Sequence, residues 1–393
     1  MRSIRVVIQP FCSQQDKESH RFLLDADVTA QISRFLAASL KRDGFDVCLA
    51  LPGQEQCDYP AWSEQFEIFK VYTPPGNRNQ RLHFDPVSIR AMLDGCDLFI
   101  THNEIKAINL RQVVSPTLKI VHFNHLLPLG EWKWIEALQV GSWNAADLVV
   151  FLAPSLKDFA EAASLRCGYN PKAMNMVVWP MVFDESHVYP RHIRSPGNVD
   201  LLFVQRCSAN NYTHHREFLG ALSVLRNEYQ WKGRVVFTDP THYLELNWAR
   251  ECDASGPKDL GIEFARCENR RDYYELLHQA KLAIAMMRDD LHGGVAIREA
   301  IATGCLPVLL DEPCYLNLLG EDAVNWPFLV PKSLRPCEIA RVVHQALRSQ
   351  EQWQNNDPLD AALARIRARV DTESYQKAWQ RLVREDLTLL TRS

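Results

Sequence analysis

The stretch Lys281–Leu310, KLAIAMMRDDLHGGVAIREAIATGCLPVLL, is the most informative part of the chain about its fold. It begins with an apolar run, passes through a polar segment that ends in two glycines, continues with apolar residues at helical spacing and closes with a second apolar run. Runs too apolar to have a face in water are typical of parallel strands covered by helices on both sides. The stretch therefore predicts a strand, a glycine loop, a helix and a second strand of an α/β sheet.

The same alternation of strand and helix recurs along the whole chain. In the first half, candidate strands stand at Ile4–Ile8, Asp46–Leu51, Phe66–Val71, Asp97–Thr101, Lys119–Phe123, Asp147–Leu152 and Asn175–Trp179. In the second half, they stand at Val199–Val204, Gly233–Thr238, Ile262–Ala265, Lys281–Met287 and Leu306–Leu310. Strands that alternate with helical patterns indicate βαβ units. We therefore predict two Rossmann-like domains.

A segment with three prolines and a glycine separates the two series of strands. Over Trp179–Asn198 the apolar periodicity is lost, as expected of a connection between domains. We predict an N-terminal domain over residues 1–184, a linker over 185–198 and a C-terminal domain over 199–373. The tail over 374–393 has apolar residues near helical spacing, which predicts a final amphipathic helix.

Composition sets wide limits on the class of protein. A chain of 393 residues is too long for one ordinary core, and a net charge of −4 provides no overall field for nucleic acid or an anionic membrane. The 11 cysteines lack metal-ligand spacing, so we expect no bound metal and a reducing compartment. The sequence shows neither a signal-peptide pattern nor an apolar run of transmembrane length, which leads us to expect a soluble cytoplasmic protein.

Residues of the glycine loop and the helix after it suit a nucleotide diphosphate. His292, Gly293 and Gly294 precede the predicted helix, where glycine lets backbone N–H groups and the positive helix end approach a phosphate. One turn into that helix, Glu299 can point back to the same place and accept hydrogen bonds from the hydroxyls of a ribose. An ordinary strand-to-helix turn and a solvated helix face are the structural alternatives.

The segment Glu299–Val308, EAIATGCLPV, resembles the donor-site motif E-A-x-A-x-G-x-P-V of the family-four retaining glycosyltransferases (glycosyl transferases group 1). It has one additional residue between the glycine and the proline. The resemblance extends to Val204–Arg206, in the place of the family's V-G-R turn, and to Asp147–Ser155 and Met176–Asp184. It implies a GT-B fold, in which two Rossmann-like domains face each other across a cleft and a C-terminal helix crosses back. It also implies a nucleotide-diphosphate sugar as donor and retaining transfer.

The resemblance and the local charges together name the remaining donor-site candidates. Arg206 takes the place of the family's diphosphate-binding arginine, and His214 and His215 fall where the family has a lysine. Arg271 lies in the helix that, in this fold, is near the nucleotide. Cations that neutralise a leaving diphosphate are what glycosyl transfer without a bound metal requires. The first glutamate of the family's E-x7-E pair is replaced by Leu291, and a solvated helix start is the alternative for the two histidines.

Polar residues in the first half stand where two strands are predicted to end. Open α/β sheets bind ligands at the carboxyl ends of their strands. A titratable group there can hold the acceptor hydroxyl or take its proton. A loop histidine that caps a strand is the structural alternative for each histidine. The catalytic candidates are His102, Glu104, His122 and His125.

The sequence leaves the acceptor open between a small molecule, a glycan and a modified nucleic acid. The loop Pro74–Phe84 is polar and basic, and Arg78 and Arg81 in it are suited to phosphate contacts. A phage-type DNA glycosyltransferase that acts on a hydroxymethylated base is therefore one alternative. A catalytically inert nucleotide-sugar-binding partner protein is another, because of Leu291. Binding to DNA that weakens with salt would indicate the DNA glycosyltransferase. Absence of donor hydrolysis would indicate the inert partner protein.

Overall fold

The chain divides into two compact units, Met1–Val182 with Gln376–Ser393, and Phe183–Tyr375. The computed structural model describes residues 3–10, 24, 28–52, 60–71, 86–102, 110–111, 114–124, 133–179, 198–209, 211–240, 242–252, 256–267, 269–288, 294–351, 357–369 and 381–387. The division falls between residues 182 and 183, and the predicted linker 185–198, apart from its last residue, lies outside the described residues.

The first unit contains a sheet of seven strands, all of them parallel to their neighbours. In chain order the strands are β1 (Arg5–Gln9), β2 (Asp46–Pro52), β3 (Glu67–Val71), β4 (Leu98–Thr101), β5 (Lys119–Asn124), β6 (Leu148–Phe151) and β7 (Met176–Val178). They lie side by side in the order β3-β2-β1-β4-β5-β6-β7. The chain thus starts in the middle of the sheet, winds to one edge and then fills the other side, as in a Rossmann sheet.

Helices connect the strands of the first unit. Those in the described residues are α1 (Val28–Arg42), α2 (Pro60–Ser63), α3 (Pro86–Leu93), α4 (Lys133–Ala145) and α5 (Pro154–Arg166), followed by a short 3-10 helix at Pro171–Ala173. The helix α1 buries Ile32, Leu36 and Leu40, which recur at helical spacing. It ends at Arg42, and two residues later Gly44 has a φ of +89°, the left-handed conformation that stops a helix at little cost to glycine.

The second unit contains a sheet of six parallel strands. They are β8 (Val199–Phe203), β9 (Val235–Thr238), β10 (Ile262–Ala265), β11 (Ala280–Ala285), β12 (Leu306–Leu310) and β13 (Leu329–Val330). Their order is β10-β9-β8-β11-β12-β13, so the direction of winding reverses between β8 and β11. Open α/β sheets bind ligands at the carboxyl ends of the strands beside such a reversal.

The helices of the second unit follow the same alternation. They are α6 (His215–Asn227), α7 (Tyr243–Leu246), α8 (Trp248–Glu251), α9 (Arg270–Gln279), α10 (Val295–Ala302), α11 (Pro313–Leu319), α12 (Pro336–Glu351) and α13 (Asp357–Arg369), with 3-10 helices at Pro257–Leu260 and Gly320–Asn325. Within the helices that the structure describes, none combines the length and the apolar character needed to cross a membrane.

Every strand predicted from the sequence is present, with bounds that differ by no more than two residues. The strand β13 was not predicted, because two residues are too few to show a pattern. Of the predicted C-terminal helix, the structure describes residues 381–387, in which Leu382–Leu387 is a π-helix with Leu382 and Leu387 buried. This segment belongs to the first unit.

Candidate functional site

The helix α10 begins at the carboxyl edge of the second sheet, next to the point where the winding reverses. The strand β11 ends at Ala285, and Gly294 is the N-cap of α10 with a φ of +68°. Glycine adopts this left-handed conformation without steric cost. The predicted ligands His292 and Gly293, like Leu291, lie outside the described residues.

Glu299 lies in the second turn of α10 and is buried, with a side chain that is 1% exposed. Arg270, the first residue of α9, forms an ion pair with Oε1 of Glu299. The hydroxyl of Tyr274 donates to the same oxygen over 3.2 Å. Because its carboxylate is buried and held by two donors, Glu299 does not belong to a solvated helix face.

The guanidinium of Arg270 packs on two aromatic rings of its own helix. Its guanidinium carbon lies 5.2 Å from the ring centroid of Tyr273 and 5.1 Å from that of Tyr274. Burial opposes the charge of Arg270, but the Glu299 carboxylate outweighs it and holds the arginine pKa above its ordinary value. Burial and the charge of Glu299 raise the pKa of Tyr274, so its hydroxyl remains a donor at neutral pH. The predicted ligand Arg271 is exposed, and its neighbour Arg270 is the residue that reaches Glu299.

Arg206 lies three residues beyond the end of β8, in a loop that is tied to the neighbouring strand. Its Nε donates to the Tyr212 hydroxyl over 3.0 Å. The preceding residue, Gln205, is buried, and its side-chain oxygen accepts from the backbone N–H groups of Met286–Met287 over 2.7 and 2.9 Å. Its Nε2 donates to the Tyr315 hydroxyl over 2.9 Å. Gln205 therefore fastens the loop that carries Arg206 to the end of β11.

The two predicted histidines at the start of α6 have different surroundings. His214 is the N-cap in a left-handed conformation, and its Nδ1 lies 3.5 Å from the Glu217 carboxylate. His215 is fully buried, and its Nε2 lies 2.9 Å from Glu251. Burial lowers the pKa of His215, although its contact with Glu251 acts in the opposite direction. The structure places His215 in a buried network inside the second unit.

Glu251 is the centre of that network, and the sequence analysis did not single it out. Arg216 donates to its two oxygens over 2.6 and 3.0 Å, and the Tyr243 hydroxyl donates over 2.7 Å. Burial acts to raise the pKa of Glu251, but the hydrogen bonds from Arg216, Tyr243 and His215 outweigh it and lower the pKa to about 2. No motif marks Glu251, because its partners come from two other helices.

Two of the predicted catalytic residues in the first unit are buried. His102 directly follows β4 and stacks on Phe123, with ring centroids 4.5 Å apart, and His122 lies within β5. Burial, assisted by His122, lowers the pKa of His102 to about 3, and burial lowers that of His122 to about 4. Both rings are therefore neutral at pH 7. The other two candidates, Glu104 and His125, lie outside the described residues, as does the basic loop with its two arginines at 78 and 81.

A row of polar side chains crosses the carboxyl ends of β1, β4 and β5. Gln9, Thr101 and His122 are register partners, and all three are buried. Two residues beyond His122, Asn124 accepts a hydrogen bond from Gln139 of α4 over 2.7 Å. Buried polar groups are rare in a core unless they are paired or functional. Gln9 was not among the predicted residues, although it is the polar end of an apolar strand.

Metal ligands were not expected, and the described part of the chain has no group of three or more His, Cys, Asp or Glu side chains placed to hold a metal ion. The polar groups gather instead at the carboxyl edges of the two sheets.

Two doubly wound parallel sheets of this kind are typical of the GT-B fold. The structure assigns the chain to this fold class. The two Rossmann-like domains predicted from the sequence are thereby confirmed. No protein-family model matches the chain, and no curated protein matches it significantly in sequence.

Solved structures supply the comparison. The Anabaena protein HepE, crystallised with UDP and glucose, has a TM-score of 0.68 at 14% identity over 98% of this chain and 99% of that one. A glycosyltransferase from Rickettsia africae ESF-5 has a TM-score of 0.66 at 13% identity over 100% and 99%. WaaG, a glycosyltransferase involved in lipopolysaccharide biosynthesis, has a TM-score of 0.62 at 14% identity over 97% and 98%. At these identities the similarity shows the fold, and the function is argued from the residues.

Proposed function

We propose that this chain is a glycosyltransferase that transfers a sugar from a nucleotide-diphosphate sugar to an acceptor hydroxyl. The observation that carries the proposal is the buried carboxylate of Glu299 at the carboxyl edge of the second sheet, on the helix that starts after Gly294. Doubly wound sheets bind nucleotides at this edge, and a carboxylate accepts the hydrogen bonds of ribose hydroxyls. Since HepE was crystallised with UDP and with UDP-glucose, a UDP-sugar is the first donor to test.

The diphosphate of the donor is proposed to bind between Arg206 and the start of α10. A guanidinium and the N–H groups of a helix N-terminus both favour a phosphate. Together they supply positive charge for the leaving diphosphate, which is the role that a divalent cation has in other transferases. Transfer is therefore proposed to be independent of metal. His214, His292 and Gly293 stay candidates for further contacts, whereas His215 is proposed to support the loop through Glu251.

The acceptor is proposed to bind at the polar row of the first unit. A neutral imidazole can take a proton from a hydroxyl or orient it. Both ring nitrogens of His122 lack a hydrogen-bond partner among the residues that the structure describes, and His122 is buried. His102, Glu104 and His125 are proposed for the same region. Retention of the anomeric configuration is proposed from the resemblance to the family-four enzymes.

Calorimetric titration of the full chain with UDP and UDP-glucose tests the donor site. We expect both ligands to bind, and we expect Arg206→Ala and Glu299→Gln each to weaken binding by about tenfold or more, the value of one hydrogen bond to a charged group. The matched controls are Arg234→Ala and Glu263→Gln, which break an exposed ion pair at the opposite edge of the same sheet. These controls are expected to bind like the wild type.

Two results would contradict the proposal. The first is that no nucleotide sugar or nucleoside diphosphate binds to the wild-type chain. The second is that the donor binds but no UDP is released from UDP-glucose, either slowly by hydrolysis or faster with acceptor hydroxyls. The second result would favour the catalytically inert partner protein.

A further inference from the structure

Arg270 holds the Glu299 carboxylate from the first turn of a neighbouring helix. Its guanidinium pairs with Oε1 and contacts the Tyr274 hydroxyl over 3.4 Å. The guanidinium lies over the rings of both Tyr273 and Tyr274, and the arginine side chain is 13% exposed. Ring faces and a hydroxyl together restrict a planar guanidinium to one orientation.

These contacts determine whether the carboxyl group of Glu299 is ionised or protonated. A buried carboxyl group without a cation takes up a proton, because burial disfavours its charge. The protonated group carries an O–H donor, whereas the ionised group has only acceptors and can receive both hydroxyls of a ribose. Arginine does not lose its proton in proteins. Arg270 and the Tyr274 hydroxyl therefore both favour the accepting form of Glu299.

We infer that Arg270 is a positioning residue for donor recognition, which holds Glu299 ionised and oriented so that the site distinguishes a ribonucleotide from a 2′-deoxyribonucleotide. Tyr274 supplies the second hydrogen bond to the same oxygen. Arg270 acts through Glu299 and does not contact the donor. The inference rests on the proposed function, since it names the group that prepares the proposed ribose contact.

The test is the ratio of the dissociation constants of 2′-deoxy-UDP and UDP, measured by calorimetry on the full chain at pH 6.5 and 8.5. The titration of the diphosphate affects both nucleotides alike and cancels in the ratio. In the wild type we expect a preference for UDP of about tenfold or more at both pH values. In Arg270→Met we expect the preference for UDP to be about twofold at pH 6.5. We expect a larger preference at pH 8.5, because a larger fraction of Glu299 is ionised at the higher pH.

Three variants make the test specific. Arg270→Lys keeps the charge and should retain more of the preference than Arg270→Met. Tyr274→Phe removes one hydrogen bond but keeps the ring, so its preference should lie between those of the wild type and Arg270→Met. Arg234→Met breaks the exposed pair with Glu263 and should leave the ratio unchanged. If Arg270→Met fails to fold, the Lys and Phe variants carry the test.

A folded Arg270→Met protein with the wild-type ratio at both pH values would overturn the inference alone. Tighter binding of UDP to this variant would also overturn it, since Arg270 would then block the ribose site. Wild-type protein that binds UDP and 2′-deoxy-UDP equally would overturn it and leave nucleotide binding established. Absence of any nucleotide binding to the wild type would overturn the proposed function together with the inference.

Discussion

Buried ionisable residues at the carboxyl edges of the two sheets are the part of the molecule that packing does not explain. An ionisable side chain is costly to bury unless a partner or a function compensates. Glu299 has Arg270 and Tyr274 as partners, whereas His102 and His122 are kept neutral by burial. Perturbed groups of this kind cluster at functional sites.

The two histidines predict a loss of stability in mild acid. Their folded-state pKa values, about 3 and about 4, lie below the ordinary value of 6.5. Below pH 6.5 the unfolded chain therefore binds more protons than the folded chain. The contribution of the two neutral histidines to the free energy of unfolding is fully present above pH 6.5 and is lost as the pH decreases toward 4. The slope is about 1.4 kcal/mol per pH unit for each histidine.

Urea unfolding at pH 7.0 and pH 5.0 measures this effect. Between these two pH values, His122→Gln should lose about 2 kcal/mol less of its free energy of unfolding than the wild type, because glutamine takes up no proton. Equal losses in the two proteins would show that the folded-state pKa of His122 is not lowered.

At the scale of the elements, Gln205 joins the loop after β8 to the end of β11. Gln205→Leu would leave the buried backbone N–H of Met286, the half-buried N–H of Met287 and the Tyr315 hydroxyl without this partner. We expect a loss of about 2 to 3 kcal/mol in the free energy of unfolding, together with weaker UDP binding, since Arg206 is the next residue. Ser223→Ala, which removes a half-buried hydroxyl that donates to the Leu219 carbonyl of the same helix, is the control. Unchanged stability in Gln205→Leu would mean that the loop is held by other contacts.

The strands were predictable because each is a short apolar run between polar segments, and this pattern does not depend on distant residues. The pairing of Glu299 was not predictable in the same way. It requires the orientation of α9, which decides that Arg270 and not Arg271 faces α10. A local signal for that orientation exists, because Asn269 is the N-cap of α9 and accepts from the backbone N–H of Asp272 over 3.0 Å. Asn before a helix is a recognisable start.

The hydrogen-bond network around Glu251 could not be predicted from the sequence. His215, Arg216 and Tyr243 reach it from two other helices, and none of these spacings forms a motif. His215 was predicted as a donor ligand because, by the resemblance to the family-four enzymes, it falls where they have a lysine shortly after the position of Arg206. Its burial with Glu251 follows from how α6 and α8 pack, which the sequence does not specify.

At the scale of the whole molecule, each unit has its own doubly wound sheet and its own set of polar residues at the carboxyl edge. The last described segment, Leu382–Leu387, belongs to the first unit although it follows the second along the chain. The overall charge of −4 gives no general attraction to polyanions. The specificity of the protein is therefore expected to reside in these two edges.

The central claim is that the carboxyl edge of the second sheet binds the nucleotide sugar. Hydrogen exchange followed by mass spectrometry, with and without saturating UDP-glucose, tests it most directly. We expect slower exchange in residues 204–209 and 211–214 and at the starts of α9 and α10, because a bound ligand stabilises the segments that it contacts. Exchange that is unchanged in these segments while UDP-glucose is bound would contradict it.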